Sequence, residues 1–291
     1  GEVVMEAIIP YTIALLVNEI KAGCGVDRIL HYGYILLAMA MTSLLFGYLA
    51  GRTCALATSG FAKNLRHDVF YNIQSFSFSN IDKFSSASLV TRLTTDIQNI
   101  QMAFMMLIRM AFRAPLNLIF SFFMAYYMGG KMAIIFLIVI PILAFGLSFI
   151  IKITMPLFRK GFPKFDVLNN SIEENIKGIR VIKSFVREDY EQEKFNAASN
   201  DIRDIFTKAE RILAFNNPLM QMCMYSTMLF VLYFGSKTII TTNGAALDIG
   251  QFSTLLTYSF QILSSLMMLS MLFVMLTFSQ ESAERVCEVL K

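Results

Sequence analysis

The run MAIIFLIVIPILAFGLSFII, Met132 to Ile151, lies between Lys131 and Lys152 and carries no charge. A helix crossing a bilayer needs about 20 mostly apolar residues, because the hydrocarbon core is roughly 30 Å thick and each residue rises about 1.5 Å. This stretch predicts such a helix, and the rest of the chain repeats the pattern. Ile29–Gly51 runs uncharged between Arg28 and Arg52, Ile212–Ser236 between Arg211 and Lys237, and Ile249–Gln280 between Asp248 and Glu281. Ala114–Gly130 is shorter, and Met102–Met110 extends it if Arg109 and Arg113 are accommodated. Val3–Val17 is interrupted by Glu6. The expectation is an all-α membrane protein with six spans at about 1–18, 29–55, 104–128, 131–153, 212–240 and 249–277.

Composition agrees. Of 291 residues, 56% are hydrophobic and 16% charged, and the mean hydropathy is +0.57. Soluble domains carry roughly 45–50% apolar and about 25% charged residues, so a soluble enzyme is excluded, as is a disordered chain. Cys24, Cys54, Cys223 and Cys287 form no CxxC pair, which argues against a disulfide framework or a zinc site. A net charge of +4 gives no case for nucleic acid. The expected surroundings are membrane lipids.

The joints alternate in length. Those near Asn18–His31, Gly129–Lys131 and Thr241–Asp248 are short, whereas those at about 56–103 and 154–211 are long. The long joints fall on one side and hold Lys63, Arg66, Lys83, Arg92 and most of the remaining Lys and Arg. The positive-inside rule places that side in the cytoplasm, with both termini there too. The start, with Glu2 and Glu6 where a signal peptide has basic residues, is expected to lie inside a helix whose first part precedes residue 1.

The long joints carry helical patterns of their own. Leu89, Leu93, Ile97 and Ile100 recur at helical spacing, with Arg92 and Asp96 beside them as an expected i,i+4 ion pair. Ile172, Ile176, Ile179 and Ile182 form a second stripe among charged neighbours. The spanning helices are therefore expected to continue about 25–30 Å into the cytoplasm as amphipathic rods.

Three segments resemble the transmembrane domain of an ABC exporter. Phe76 to Phe84 followed by Ser88-Leu89-Val90-Thr91-Arg92-Leu93-Thr94-Thr95-Asp96 is similar to the family's pattern of Phe, a short turn and then S-x-L-x-x-R-L-x-x-D. Gly178-Ile179-Arg180-Val181-Ile182-Lys183-Ser184-Phe185, with Glu174 before it and Glu188 after, is similar to its G-I-R-V-I-K-x-F segment. Ser282 to Leu290 resembles the S-A-x-R-V-x-E-x-L run that precedes the nucleotide-binding domain. Arg113-Ala114-Pro115, Pro156 to Lys160 and Leu266-Met267-Met268 resemble bacterial multidrug half-transporters.

The resemblance implies a domain-swapped dimer with a second half-transporter, homo- or heterodimeric, in a bacterial plasma membrane. It implies export of hydrophobic or amphiphilic compounds by alternating access. A lipid flippase or a peptide exporter of the same fold is the nearer alternative, and a non-transporting scaffold or regulatory permease subunit the farther one. ATP and Mg belong to the nucleotide-binding domain that the resemblance places after residue 291. The chain itself has no catalytic residue: no G-x-x-x-x-G-K-[ST] occurs, Gly129-Gly130-Lys131 is followed by Met132, and no G-x-S-x-G is present. His31 and His67 are expected on opposite sides of the membrane, so no metal site is expected either.

The resemblance makes Ser79, Asn80, Ile81 and Asp82 in the first joint, and Phe185, Arg187 and Glu188 in the second, candidates for coupling to nucleotide-binding domains. The residues alone leave open that Phe185 packs among its own helices and that the charges form a solvated face. Glu6, Arg109 and Arg113 are charges at membrane depth, which are costly and suggest function. Either they line a substrate cavity, or they reach the headgroups or pair between helices. Tyr258 and Gln261 are candidates for hydrogen bonding in the pathway. Met268 and Met271 belong to a Met- and Phe-rich lining, drawn from 19 Met and 27 Phe of which most pack or face lipid.

Overall fold

The computed structural model describes residues 1–77, 84, 86–245 and 247–290, which form helices and turns with no strand among them. The chain runs through α1 (Glu2–Lys21), α2 (Val26–Gln74), the short α3 (Ser86–Thr91), a π-helical turn (Arg92–Asp96) and α4 (Ile97–Gly129). A 3-10 turn (Gly130–Ala133) leads into α5 (Ile134–Lys177), followed by α6 (Ile179–Ser184), α7 (Glu188–Ala214), α8 (Asn216–Thr242) and α9 (Ile249–Leu290).

Five helical stretches are long and apolar enough to cross a membrane: α1, α2, Ser88–Lys177, Glu188–Thr242 and α9. The third is 90 residues long and contains the turn at Gly130, so the apolar runs of α4 and α5 lie on either side of it. Gly130 sits at φ +51°, a conformation open to glycine and costly for most side chains. Helix α2 holds 49 residues with no proline, about 74 Å at 1.5 Å per residue, more than twice the hydrocarbon thickness. Many apolar side chains of its first half stay uncovered within the chain, Leu44 at 68% exposure, which suits lipid and not water.

Helix ends follow their sequences. Helix α1 stops at Gly23, φ +82°, where Cys24 N–H bonds to the Glu19 carbonyl and Gly23 N–H to that of Ile20. Helix α8 stops at Asn243, φ +49°, with Gly244 N–H on the Ile239 carbonyl. Both are left-handed caps built on the residues that tolerate them best.

The chain divides into two compact units, Gly1–Ile142 with Met222–Lys291, and Leu143–Gln221. The first unit has two cores. One gathers Ala14, Ala125, Met128, Phe136, Val231, Leu255, Tyr258 and Ile262 from α1, α4, α5, α8 and α9. The other gathers Ala62, Val69, Ile97, Val286 and Val289, with Leu89, Leu93 and Ile100 of the first amphipathic stripe packed against it. The second unit is clasped by aromatics: Phe206 of α7 meets Phe158 and Phe165 of α5 with ring centroids 5.6 and 5.2 Å apart. Gly161 permits this, since a Cβ there would come within 2.7 Å of the Phe206 ring.

Candidate functional site

The end of α9 meets the start of α4 through a cluster of charges. Arg92 is 7% exposed and Asp96 1%, so each must find a partner or remain uncompensated in a low-dielectric site. The expected i,i+4 pair between them is not formed. Both side chains turn to α9 instead, from the π-helical turn that carries them. Arg92 Nη1 donates to the Arg285 carbonyl at 2.6 Å, and Nη2 lies 2.8 Å from the Glu288 carboxylate. Asp96 Oδ1 accepts from the Ser282 hydroxyl at 2.8 Å and lies 3.3 Å from Arg285 Nη2. Asn99 donates to the Ser282 oxygen at 3.2 Å.

The packing explains the change of partner. At the α9 interface Arg92 gains a carbonyl and a carboxylate, and Asp96 gains a hydroxyl and a guanidinium. A pairing along one helix would give each of them only the other. The Phe84 ring lies 4.7 Å from the Arg92 guanidinium carbon and stacks on Phe76 at 6.0 Å. Asn72 of α2 donates to the Val289 carbonyl, satisfying one of the acceptors that a helix C-terminus leaves open. Two arginines and two carboxylates leave the cluster without net charge.

The second joint turns sharply. Arg187 N–H bonds to the Ile182 carbonyl at 3.0 Å and Val186 N–H to that of Lys183 at 3.3 Å, a left-handed helix cap whose central residue is Val186 at φ +52°. Glycine or asparagine fills that place at the ends of α1 and α8. A β-branched residue there is an outlier and stores strain. The turn pushes Phe185 (73% exposed) and Val186 (81% exposed) outward, with exposed Arg187 and half-buried Glu188 beside them. Glu188, Asp189 and Glu191 in the first turn of α7 suit the positive end of its dipole. A groove of about 490 Å³ lies behind, walled by Ile172, Ile176, Ile179 and Ile182 of the second stripe and by Phe195. Ser79, Asn80, Ile81 and Asp82 of the first joint lie outside the described residues.

The two arginines of α4 part company. Arg113 Nη2 lies 2.6 Å from Glu6 and Nη1 3.1 Å from Glu2, so one guanidinium bridges two carboxylates of α1. Arg109 is exposed and makes no ion pair among the described residues. It stands on the wall of a cavity of about 600 Å³ lined also by Phe46, Leu49, Phe112 and Leu116. Tyr258 is wholly buried, its hydroxyl donating to the Ala7 carbonyl at 2.6 Å. Gln261 donates to the Glu6 carbonyl at 3.2 Å and accepts from Ser121 at 2.9 Å. Met268 is half-buried and Met271 56% exposed on the following turns of α9.

The family profile of the ABC transporter transmembrane region matches residues 2–267. This chain belongs to that family. Among its relatives, the Bacillus subtilis protein named "Uncharacterized ABC transporter ATP-binding protein YfiB" is 27% identical over 290 residues, covering 100% of this chain and 50% of the relative. The Mycobacterium tuberculosis protein named "Uncharacterized ABC transporter ATP-binding protein Rv1273c" is 27% identical over 286 residues, 97% of this chain and 48% of the relative. An "ATP-dependent lipid A-core flippase" of Aromatoleum aromaticum is 26% identical over 224 residues, 76% of this chain and 37% of the relative. The chain thus spans about half the length of the first two of these relatives.

This ABC transmembrane region offers no phosphate cradle at its one Gly-Gly-Lys run. Gly129 ends α4, Gly130 turns the backbone, and Lys131 lies in the 3-10 turn before apolar α5. Its residues do not fit ATP or Mg there, and no group of three metal-ligating side chains occurs among the described residues. Two features of the site escaped the reading of the sequence. The contact of Arg92 and Asp96 with Ser282, Arg285 and Glu288 joins motifs nearly 200 positions apart, and its only signal was complementary charge. The strain at Val186 left no signal, since nothing in S-F-V-R-E marks a left-handed residue.

Proposed function

We propose that this chain is the membrane-spanning half of an ATP-driven exporter that moves hydrophobic or amphiphilic compounds, lipids included, out of the cytoplasm by alternating access. Six spans cross a bacterial plasma membrane, with both termini cytoplasmic. The chain works as a dimer, with the fourth and fifth spans exchanged between partners. ATP and Mg would be held by nucleotide-binding domains of the whole protein.

The observation that carries the reading is the junction at the end of α9. The helix runs 42 residues from Ile249 to Leu290, and its last turns are bound to the start of α4 by buried charges. A displacement delivered at the cytoplasmic end therefore moves α9 and α4 together, and both reach membrane depth. Ser79–Asp82 and the outward-pointing Phe185, Arg187 and Glu188 are the proposed docking points for the nucleotide-binding domains. Arg109, Met268 and Met271 are the proposed substrate-facing residues, with Glu6, Arg113, Tyr258 and Gln261 fixing the helices.

Lipids and amphiphiles are favoured over peptides by the Met- and Phe-rich helices and by relatives named lipid A-core flippases. The test is ATPase activity of the full-length protein with its partner in proteoliposomes, challenged with hydrophobic cations, lipids and peptides. Stimulation by amphiphiles is expected. Stimulation by peptides alone would overturn the cargo, and an ATPase indifferent to every ligand would overturn export.

A further inference from the structure

Helix α1 carries Pro10 in its interior. Proline has no N–H, so the bond that residue 10 would make to the Glu6 carbonyl is missing. In a membrane there is no water to take that acceptor, and a freed carbonyl must be satisfied by a neighbouring helix. The structure shows the substitute: Gln261 Nε2 of α9 donates to the Glu6 carbonyl at 3.2 Å.

That bond is one rung of a series. The Tyr258 hydroxyl donates to the Ala7 carbonyl at 2.6 Å, and the Thr254 hydroxyl shares its proton between the Pro10 carbonyl at 3.0 Å and the Gly250 carbonyl at 2.9 Å. At the other end Asn18 Oδ1 accepts from the Gly250 N–H at 3.0 Å. Residues 250, 254, 258 and 261 share one face of α9, and their partners descend α1 in antiparallel order from Asn18 to Glu6. Gly250 admits the close approach, because a Cβ there would collide with the Ala14 carbonyl oxygen. Glu6 is held at both ends, its carbonyl by α9 and its carboxylate by Arg113 of α4 at 2.6 Å. Gln261 in turn accepts from Ser121 of α4, so one turn of α1 ties three helices.

We infer that Pro10 and Gln261 form a register lock: the proline exposes a backbone acceptor on α1, and Gln261 reads it, fixing where α1 sits along α9. Gln261 is a positioning residue in this account. It sets the height of Glu6, and hence the Glu6–Arg113 pair, relative to α9. The inference stands on backbone chemistry and does not depend on the cargo or on export.

The test is a double-mutant cycle on the full-length protein in detergent, read as Tm. Gln261→Met keeps the volume and removes the donor, so it is expected to lower Tm by a few degrees when Pro10 is present. Pro10→Ala restores the intrahelical bond to Glu6, so the Tm loss from Gln261→Met is then expected to shrink to the part that comes from the Ser121 bond. Tyr258→Phe serves as the control and is expected to lower Tm in both backgrounds, because Ala7 is not the carbonyl that the proline frees. Equal losses for Gln261→Met in both backgrounds would overturn the inference. So would a Tyr258→Phe loss that vanishes with Pro10→Ala, since the whole register would then have moved. If Gln261→Met alone fails to accumulate, recovery of folded protein on adding Pro10→Ala supports the lock and failure to recover refutes it.

Discussion

Arg92 Nη2 lies 2.8 Å from the Glu288 carboxylate although the two residues stand 196 positions apart. One carbonyl away, Arg92 also holds the Arg285 backbone, and Arg285 reaches back to Asp96. The two halves of this cluster differ in burial, and that difference decides what each is worth. The Asp96 side chain is 2% exposed, whereas that of Glu288 is 61% exposed.

Asp96→Ala is expected to destabilise strongly, on the order of 3 kcal/mol, because it leaves Arg285 and the Ser282 hydroxyl without their buried acceptor. Glu288→Ala is expected to cost less, about 1–2 kcal/mol, because the buried Arg92 that it leaves behind keeps the Arg285 carbonyl as a partner. Tm of the full-length protein separates them. Equal losses would mean that the cluster is not layered by burial as described.

Val186→Gly removes a left-handed penalty of about 1–2 kcal/mol and adds roughly 0.5–1 kcal/mol of backbone entropy loss. A net gain of up to about 1.5 kcal/mol is expected, read as slower hydrogen exchange at Arg187 and at position 186. Faster exchange would show that the valine side chain holds the turn.

Arg113→Ala leaves Glu2 and Glu6 without the guanidinium that bridges them, while Arg109→Ala breaks no ion pair among the described residues. Arg113→Ala is expected to lower Tm clearly, with a loss of about 2–3 kcal/mol. Arg109→Ala is expected to stay within about 0.5 kcal/mol and to act on transport instead. Similar Tm values for both variants would contradict the assignment.

The pair Glu173–Lys177, 2.6 Å apart on α5, holds the Glu173 carboxyl below its ordinary range through a hydrogen bond and the charge of the lysine. A depressed carboxyl contributes stability above its unfolded pKa and loses it as pH falls through the folded value. Glu173→Gln is therefore expected to flatten the acid side of the local stability profile, below pH about 4.3. The effect is expected to shrink with salt, because the pair is exposed. A profile unchanged by the substitution would contradict the pairing.

Much of this was legible in the sequence for one reason: long apolar runs between charges have few structural solutions. Met132–Ile151 needed only its length. The stripe Leu89, Leu93, Ile97 and Ile100 announced a packed face by its period, and it packs on Val286 and Val289. What could not be read was partner choice. Arg92 and Asp96 sit at a spacing that permits a local pair, and only the placement of α9 beside them shows a better one. Pro10 similarly marks a missing bond in α1, while the donor that replaces it comes from 251 positions along the chain at Gln261. A carbonyl's partner depends on which helix lies alongside, and periodicity within one helix carries no record of that.

The most direct test of the central claim is the ratio of amphiphile-stimulated to basal ATPase turnover in the full-length, partnered protein carrying Asp96→Asn. Asparagine keeps the shape and the Ser282 bond but removes the charge that engages Arg285. If α9 and α4 transmit movement through this cluster, the ratio falls toward one at a temperature where the variant is still fully folded. A ratio equal to the parent's would contradict the account.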